Sequence, residues 1–457
     1  MSKQIRLNAF AMNSIGHLSP GLWRHPRDQA RRYTDVRYWV ELARTLERGK
    51  LDGLFIADVL GVYDVYQGGP DAALRAGAQV PVSDPLLLVP AMAAATEHLG
   101  FGVTASVSFE HPYPFARRMS TLDHLSGGRA GWNIVTSYLA SGARNLGQPR
   151  QLSHDQRYAL ADEYLQVCYK LWETSWEEGA VVADAEQGVY ADPARVHGIG
   201  HLGEYFQVPG FHLCEPSPQR TPVLYQAGAS SRGRAFAAAN AECVFVAAPS
   251  RTVLKKQVAE LREAVRAAGR DPASVLVFEQ LTVIVAPTDA EALARLDDYR
   301  GYASREGALA LMAGWTGIDF AEYAADQVLR EVPSDAIQSA VEAFTRADPT
   351  RTWTVAEIAE YCAIGGDGPV LVGSPQTVAD QLQEWVEDTD VDGFNLAGVV
   401  MPETFEAVVD LLVPELQARG LFKRDYAEGT LRHKLFGQGD RLAAPHPVAS
   451  LREEAGR

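Results

Sequence analysis

Short apolar runs alternate along this chain with longer stretches whose apolar residues recur every three or four positions. The runs are Ile5 to Ala11, Asp52 to Ala57, Gly100 to Val107, Arg129 to Val135, Pro222 to Tyr225, Glu242 to Val246, Val275 to Ala286 and Gly393 to Val400. They lack a polar alternation, as expected of strands buried on both faces. The stretches between them predict helices. One starts at Thr34 or Asp35, carries Trp39, Val40, Ala43 and Leu46 on one face, and stops near Gly49. Others are expected over Pro85 to His98, Pro114 to Leu125, Asp155 to Trp176 and Thr252 to Ala268. Ser374-Pro375 places an N-cap before a proline at the first helical position. Thr404 is expected to cap a last helix that Pro414 kinks and Gly420 ends. Strand and helix in alternation imply parallel βαβ units, and eight repeats favour an α/β TIM (β/α)8 barrel over an open sheet.

Two stretches break the rhythm. Residues 177–220 are rich in glycine, proline and β-branched pairs and suggest hairpins, and residues 302–369 mix helical and glycine-rich pieces. Both are expected to be insertions in a single domain spanning 1–457, and insertions of this length in a compact domain usually carry function.

In a (β/α)8 barrel the ligand sits at the C-terminal strand ends. Those ends supply Asn8 to Phe10, Asp58, Thr104 to Ser106, Asn133 to Tyr138 and the turn Gln226 to Ser231. This lining is mostly hydroxyl and amide with one acid, so it does not predict a metal cage. The segment Thr221 to Ala239 reads as strand, small-residue turn and helix. Backbone N–H groups at such a turn can hold a phosphate, or Ser230 can simply cap the helix, and the residues alone leave both open. His154 and Tyr158, four apart at a helix start, face one side and can reach the same anion or take part in capping. His17 lies in the loop after the first strand, whereas His98, His124, His197 and His201 read as structural. Hydrolase, zinc-protease, Walker and dinucleotide motifs do not occur.

Composition narrows the partners. The 457 residues are 47% hydrophobic with a net charge of -16, which argues against nucleic acid. Four separated cysteines without a CxxC pair fit a reducing cytoplasm. No run reaches the roughly 18 apolar residues of a membrane span.

The runs AFAMN, GLWRHP, YTDVRYWVELARTLERGKLDGLFIADVLGVYDVY, ARRMSTLDHLSGGRAGWNIVTSYL, HDQRYALADEYL and CEPSPQRTPVLYQAG, with QAGASSRG, GWTGIDFA, GPVLVGSP and DGFNLAG, carry a family resemblance. The chain resembles the flavin-dependent monooxygenases of the bacterial luciferase superfamily, in the branch that holds nitrilotriacetate, dibenzothiophene-sulfone, long-chain alkane and dimethyl sulfide monooxygenases. The resemblance implies a TIM barrel of the bacterial luciferase type whose 177–220 and 302–369 insertions cover the active site. It implies FMN, used as FMNH2 from a separate NAD(P)H-dependent flavin reductase, with O2 as cosubstrate through a flavin 4a-hydroperoxide. By the same resemblance Asp58, Thr104 and Ser137 lie near the flavin ring and ribityl chain, and His154, Tyr158, Gly228, Ala229 and Ser230 lie at the phosphate. On that expectation His17, Tyr63 and Tyr138 are the catalytic candidates, to hydrogen-bond the peroxide or the substrate. The expected substrate is a small organosulfur compound, with a long-chain alkane or another xenobiotic as the alternative and deazaflavin-dependent hydride transfer as the reading from another class. Ser14 and Tyr138 depart from the cysteine and histidine of the alkane branch. A cytoplasmic homodimer or homotetramer is expected.

Overall fold

The computed structural model describes residues 3–228, 230–329, 337, 344 and 352–455. Each expected run is a strand: β1 (Arg6–Met12), β2 (Gly53–Ala57), β3 (Gly100–Ser106), β4 (Ala130–Val135), β5 (Val223–Ala227), β6 (Cys243–Val246), β7 (Leu276–Val285) and β8 (Gly393–Ala397). All pair in parallel in the order 6-5-4-3-2-1-8-7, and β6 also pairs with β7, which closes the barrel. The run behind β7 is longer than one barrel strand needs. Its first part pairs with β6 and β8, while Thr282 to Val285 continue past them and pair with an added strand, Val370–Gly373.

The helices pack as their periodicity requires. Val36–Arg48 has Asp35 as N-cap, whose carboxylate accepts from Arg37 N, and buries Trp39, Leu42, Ala43 and Leu46 against the outer strand faces. Burying each large apolar side chain contributes about 1.5–3 kcal/mol. Gly49 is needed for close approach, because a Cβ there would lie 2.4 Å from Val409 Cγ2. The expected helix over 85–98 is instead a 3-10 turn, Pro85–Leu87, and a short α-helix, Val89–Ala94. Pro90 has no N–H to continue one helix through both. Thr404 is not a cap either. The last helix starts at Glu403 after Pro402, and the Thr404 hydroxyl accepts from Val399 N and Val400 N instead. The kink expected at Pro414 is a π-turn over Val408–Leu412, which absorbs the missing proline donor.

Inside the barrel Phe55, Tyr225, Phe245 and Phe278 form a layer with Leu431 and Leu435 of the helix Leu431–Phe436, the last but one of the chain's described helices. That helix closes the N-terminal barrel end. Arg432 donates to both Glu242 carboxylate oxygens and to the carbonyls of Thr221 and Pro222. The first insertion forms two small antiparallel pairs, Val181–Asp184 with Val189–Ala191 and His201–Leu202 with Gln207–Val208. The described part of the second contributes helices Arg305–Thr316 and Val355–Tyr361, which share a separate apolar core with Tyr63, Leu139 and Trp353.

Candidate functional site

The C-terminal strand ends enclose a cavity of about 330 Å³. Each barrel strand contributes to its wall. Phe10, Ala57, Thr104 and Asn133 come from the first four, and Gln226, Val246, Gln280 and Asn395 from the rest. Trp315, Ile337 and Asp367 of the second insertion close the opposite side, and no residue of 177–220 lines it. Asp58, Ser137, His154, Tyr158, Gly228 and Ser230 are brought together on this wall, as are His17 and Tyr138. Ala229 lies outside the described residues. Tyr63 is set back from the wall, behind Tyr138.

One end carries the start of a helix with a hydroxyl and an imidazole beside it. Ser230 caps helix Ser231–Asn240 by accepting from Gly233 N at 3.0 Å, and its hydroxyl lies 3.2 Å from His154 Nε2. The capping and anion readings therefore describe the same residue. The Tyr158 ring lies 5.1 Å from that of His154, tilted 60° to it, and the Arg232 guanidinium lies over the Tyr158 ring. A Cβ at Gly233 would meet the Tyr158 hydroxyl at 2.8 Å and Ser230 Oγ at 3.0 Å, so a side chain there would fill the cradle.

The floor carries amides. Asn133 donates to Thr104 Oγ1 at 2.9 Å and Gln280 donates to the Gly365 carbonyl at 3.0 Å. Their carbonyl oxygens, with those of Gln226 and Asn395, are buried without partners. Each unsatisfied acceptor costs about 1–3 kcal/mol, which a ligand with ring N–H donors recovers. Ser106 and Ser137 hydroxyls meet at 2.7 Å, and Ser137 holds a left-handed φ of 59° at the end of β4. Burial, with Asp84 nearby, pushes the Asp58 carboxyl up to about 7.

At the third side a hydrogen-bonded group joins the strand loops to the insertion. Tyr63 donates to Gln79 Oε1 at 2.7 Å, Gln79 donates to the His17 carbonyl at 3.2 Å, and Trp315 Nε1 donates to the Tyr63 oxygen at 3.2 Å. The His17 ring stands edge-on to Phe10 at 4.4 Å, and its Nδ1 is buried without a partner. Burial lowers its pKa to about 3, so it is a neutral imidazole near pH 7. Burial likewise pushes Tyr138 up to about 12.

The reading of one acid in the lining is corrected. Asp367, from the Gly365-Gly366-Asp367-Gly368 turn, is a second acid on the wall, and burial pushes it up to about 6. Sequence reasoning also missed Gln280, Asn395 and Arg157. A signal existed for the first two, since polar amides interrupt otherwise apolar strands. His98, His124, His197 and His201 lie off the cavity wall, in surface or packing contacts.

A flat ligand rich in donors and ending in an anion, as a flavin is, would satisfy both the floor and this end of the (β/α)8 barrel. Residues 16–392 match the family model described as luciferase-like monooxygenase, and the chain belongs to that family. It is similar to a dimethyl-sulfide monooxygenase of Hyphomicrobium sulfonivorans, 51% identical over 99% of this chain and 95% of that one. A long-chain alkane monooxygenase of Geobacillus thermodenitrificans is 49% identical over 99% of each chain. A crystal structure of a long-chain alkane monooxygenase superposes with a TM-score of 0.92, covering 99% of this chain and 100% of that one at 50% identity. A riboflavin lyase solved with modified FMN and riboflavin gives a TM-score of 0.92 at 36% identity, covering 98% and 100%. The protein is a flavin-dependent monooxygenase. Among the described residues no helix is long and apolar enough to cross a membrane.

Proposed function

We propose that this chain is the oxygenating component of a two-component system, receiving FMNH2 from a separate NAD(P)H-dependent flavin reductase and oxidising a small thioether with O2. The observation that carries the reading is the cavity of about 330 Å³ at the strand ends, with Ser230 and the Gly228 turn at one end and His17, Tyr138 and Trp315 at another. This size is near the lower limit of ligand sites, about 300–1,000 Å³. The 51% identity to a dimethyl-sulfide enzyme supports a sulfur-bearing substrate.

Ser230, His154 and the Gly228 turn would hold the phosphate, and the Asn133, Gln226, Gln280 and Asn395 amides would face the ring. Asp58, Thr104 and Ser137 would lie along the ring and ribityl chain. Bound FMNH2 supplies two electrons and activates O2. The protein's part is to orient both partners and to exclude water, with neutral His17 offering a ring nitrogen rather than a charge. In overall balance FMNH2, O2 and R–CH2–S–R′ give FMN, water and an α-hydroxythioether, which breaks to an aldehyde and a thiol. We assign the protein to the cytoplasm, where its free cysteines stay reduced, and expect a homodimer or homotetramer.

The second reading is alkane hydroxylation, favoured by the 49% identity to an alkane enzyme and by a second chamber beyond Tyr138. The test is anaerobic loading with FMNH2, admission of O2, and assay of aldehyde and thiol from dimethyl sulfide against alcohol from hexadecane. Product from hexadecane and only hydrogen peroxide with thioethers would overturn the first reading. Tighter binding of a reduced deazaflavin than of FMNH2 would overturn both.

A further inference from the structure

Beyond the ligand cavity lies a second chamber of about 490 Å³, between the loop after β2, the segment after β4 and the end of helix Arg305–Thr316. Among the described residues the two chambers share one lining residue, Tyr138. Its side chain sits in the interior yet the residue is partly exposed, because open space lies on both sides of it. The outer chamber is walled by Val65, Leu139, Ala140 and Gly314, and by Gln151, whose Nε2 is buried without a partner. An Arg144–Asp64 ion pair stands among them with the arginine side chain 54% exposed, which marks the solvent side.

Tyr138 is held at its hydroxyl, where Tyr63 and Trp315 converge. Its hydroxyl meets that of Tyr63 at 2.6 Å, and Tyr63 cannot yield. Gln79 and Trp315 bond the Tyr63 oxygen, and its ring lies against Gly314, where a Cβ would come 2.2 Å from Tyr63 Cδ1.

We propose that Tyr138 is the partition that sets substrate length, closing the inner cavity to all but short molecules, and that the outer chamber is a subsite for an uncharged, unbranched alkyl tail. The inference rests on the proposed monooxygenase reading only for the identity of the reacting group, since a length limit is a property of the walls. It makes Tyr138 a specificity-determining residue whatever the chemistry at the flavin.

The test uses the FMN-loaded protein and two probe series, methyl n-alkyl sulfides and n-alkan-1-ols, with dissociation constants measured by calorimetry. Each methylene that enters an apolar wall tightens binding about fourfold. In the wild type this gain is expected to stop at a short chain, in Tyr138→Ala to continue through several further methylenes, and in Tyr138→Ala with Ala140→Trp to stop early again. Ala140 is exposed, so its replacement fills the outer chamber without disturbing the inner one. The same stopping length in wild type and Tyr138→Ala, or no effect of Ala140→Trp, overturns the proposal. Should Tyr138→Ala not fold, Tyr138→Phe decides, since the ring is kept but the hydroxyl contact is lost, and an unchanged stopping length there also overturns it. The sulfide-over-alcohol preference bears on the reacting group and the stopping length on the partition, so each reading can fail alone.

Discussion

The Tyr138 hydroxyl donates its proton to the Tyr63 hydroxyl across 2.6 Å. The direction follows from counting hydrogens. A phenol has one, and Tyr63 gives its own to Gln79 Oε1, an oxygen that can only accept. Tyr138 therefore turns lone pairs, not a proton, toward the cavity, and it would receive a hydrogen bond from a ligand rather than give one.

Tyr63→Phe should expose that arrangement. The substitution strands two buried donors, Tyr138 and Trp315, and one acceptor, Gln79. A loss of about 1–3 kcal/mol in urea unfolding is expected, together with less product per O2 consumed as the Tyr138 proton is released toward the cavity. Unchanged stability and yield would show that the bonds carry no weight.

Asp58 gives a pH dependence. Its folded pKa is raised from 3.8 to about 7, so between those values the folded state holds a proton that the unfolded state has lost. Stability contributed by this group falls as pH rises from about 4 to about 7 and is flat above. Asp58→Asn should therefore gain on the wild type across that window, by roughly 1 to 4 kcal/mol at pH 8. A difference that does not change with pH would contradict the shift.

His17 acts with the opposite slope. Its folded pKa is lowered from 6.5 to about 3, so on acidification the unfolded state takes up a proton that the folded state refuses. The wild type should lose stability as pH drops from about 6.5 toward 3, and His17→Gln should flatten that limb. Chemical unfolding at pH 4, 5, 6 and 7 measures it.

Ser230→Ala should have two separable effects, because one hydroxyl caps a helix and faces His154. Thermal stability should fall by about 1 kcal/mol from the lost cap. FMN affinity, followed by flavin fluorescence, should weaken by about 1–2 kcal/mol, the scale of a bond to a charged acceptor. Ser230→Thr should keep the first and largely keep the second.

The barrel was legible because its strands are mainly apolar runs, broken only by the few polar residues that face the interior, and burial on both faces writes that pattern directly. The Gln226 to Ser231 turn was legible for a local reason, small residues between a strand and a helix. Asp367 and the partnership of Tyr63 with Tyr138 were not. Asp367 depends on the second insertion folding back over the barrel, and the Tyr63–Tyr138 bond on two strand loops meeting above it, and nothing periodic in these segments says where either contact forms. The bulky side chains of the loop after β2 and of the second insertion illustrate this. Trp315 reaches the cavity, Leu311 and Met312 pack within the covering layer, and Leu74 is 55% exposed. Thr404 failed for a local reason, since Pro402 starts the helix before a threonine cap is needed.

Arg432 makes a plug of the helix Leu431–Phe436. Wedged under the aromatic layer, it closes the N-terminal barrel end among the described residues, so the strand C-terminal ends are the side from which ligands are expected to enter. A molecule bound against the amide floor then lies beneath whatever occupies the space under Trp315.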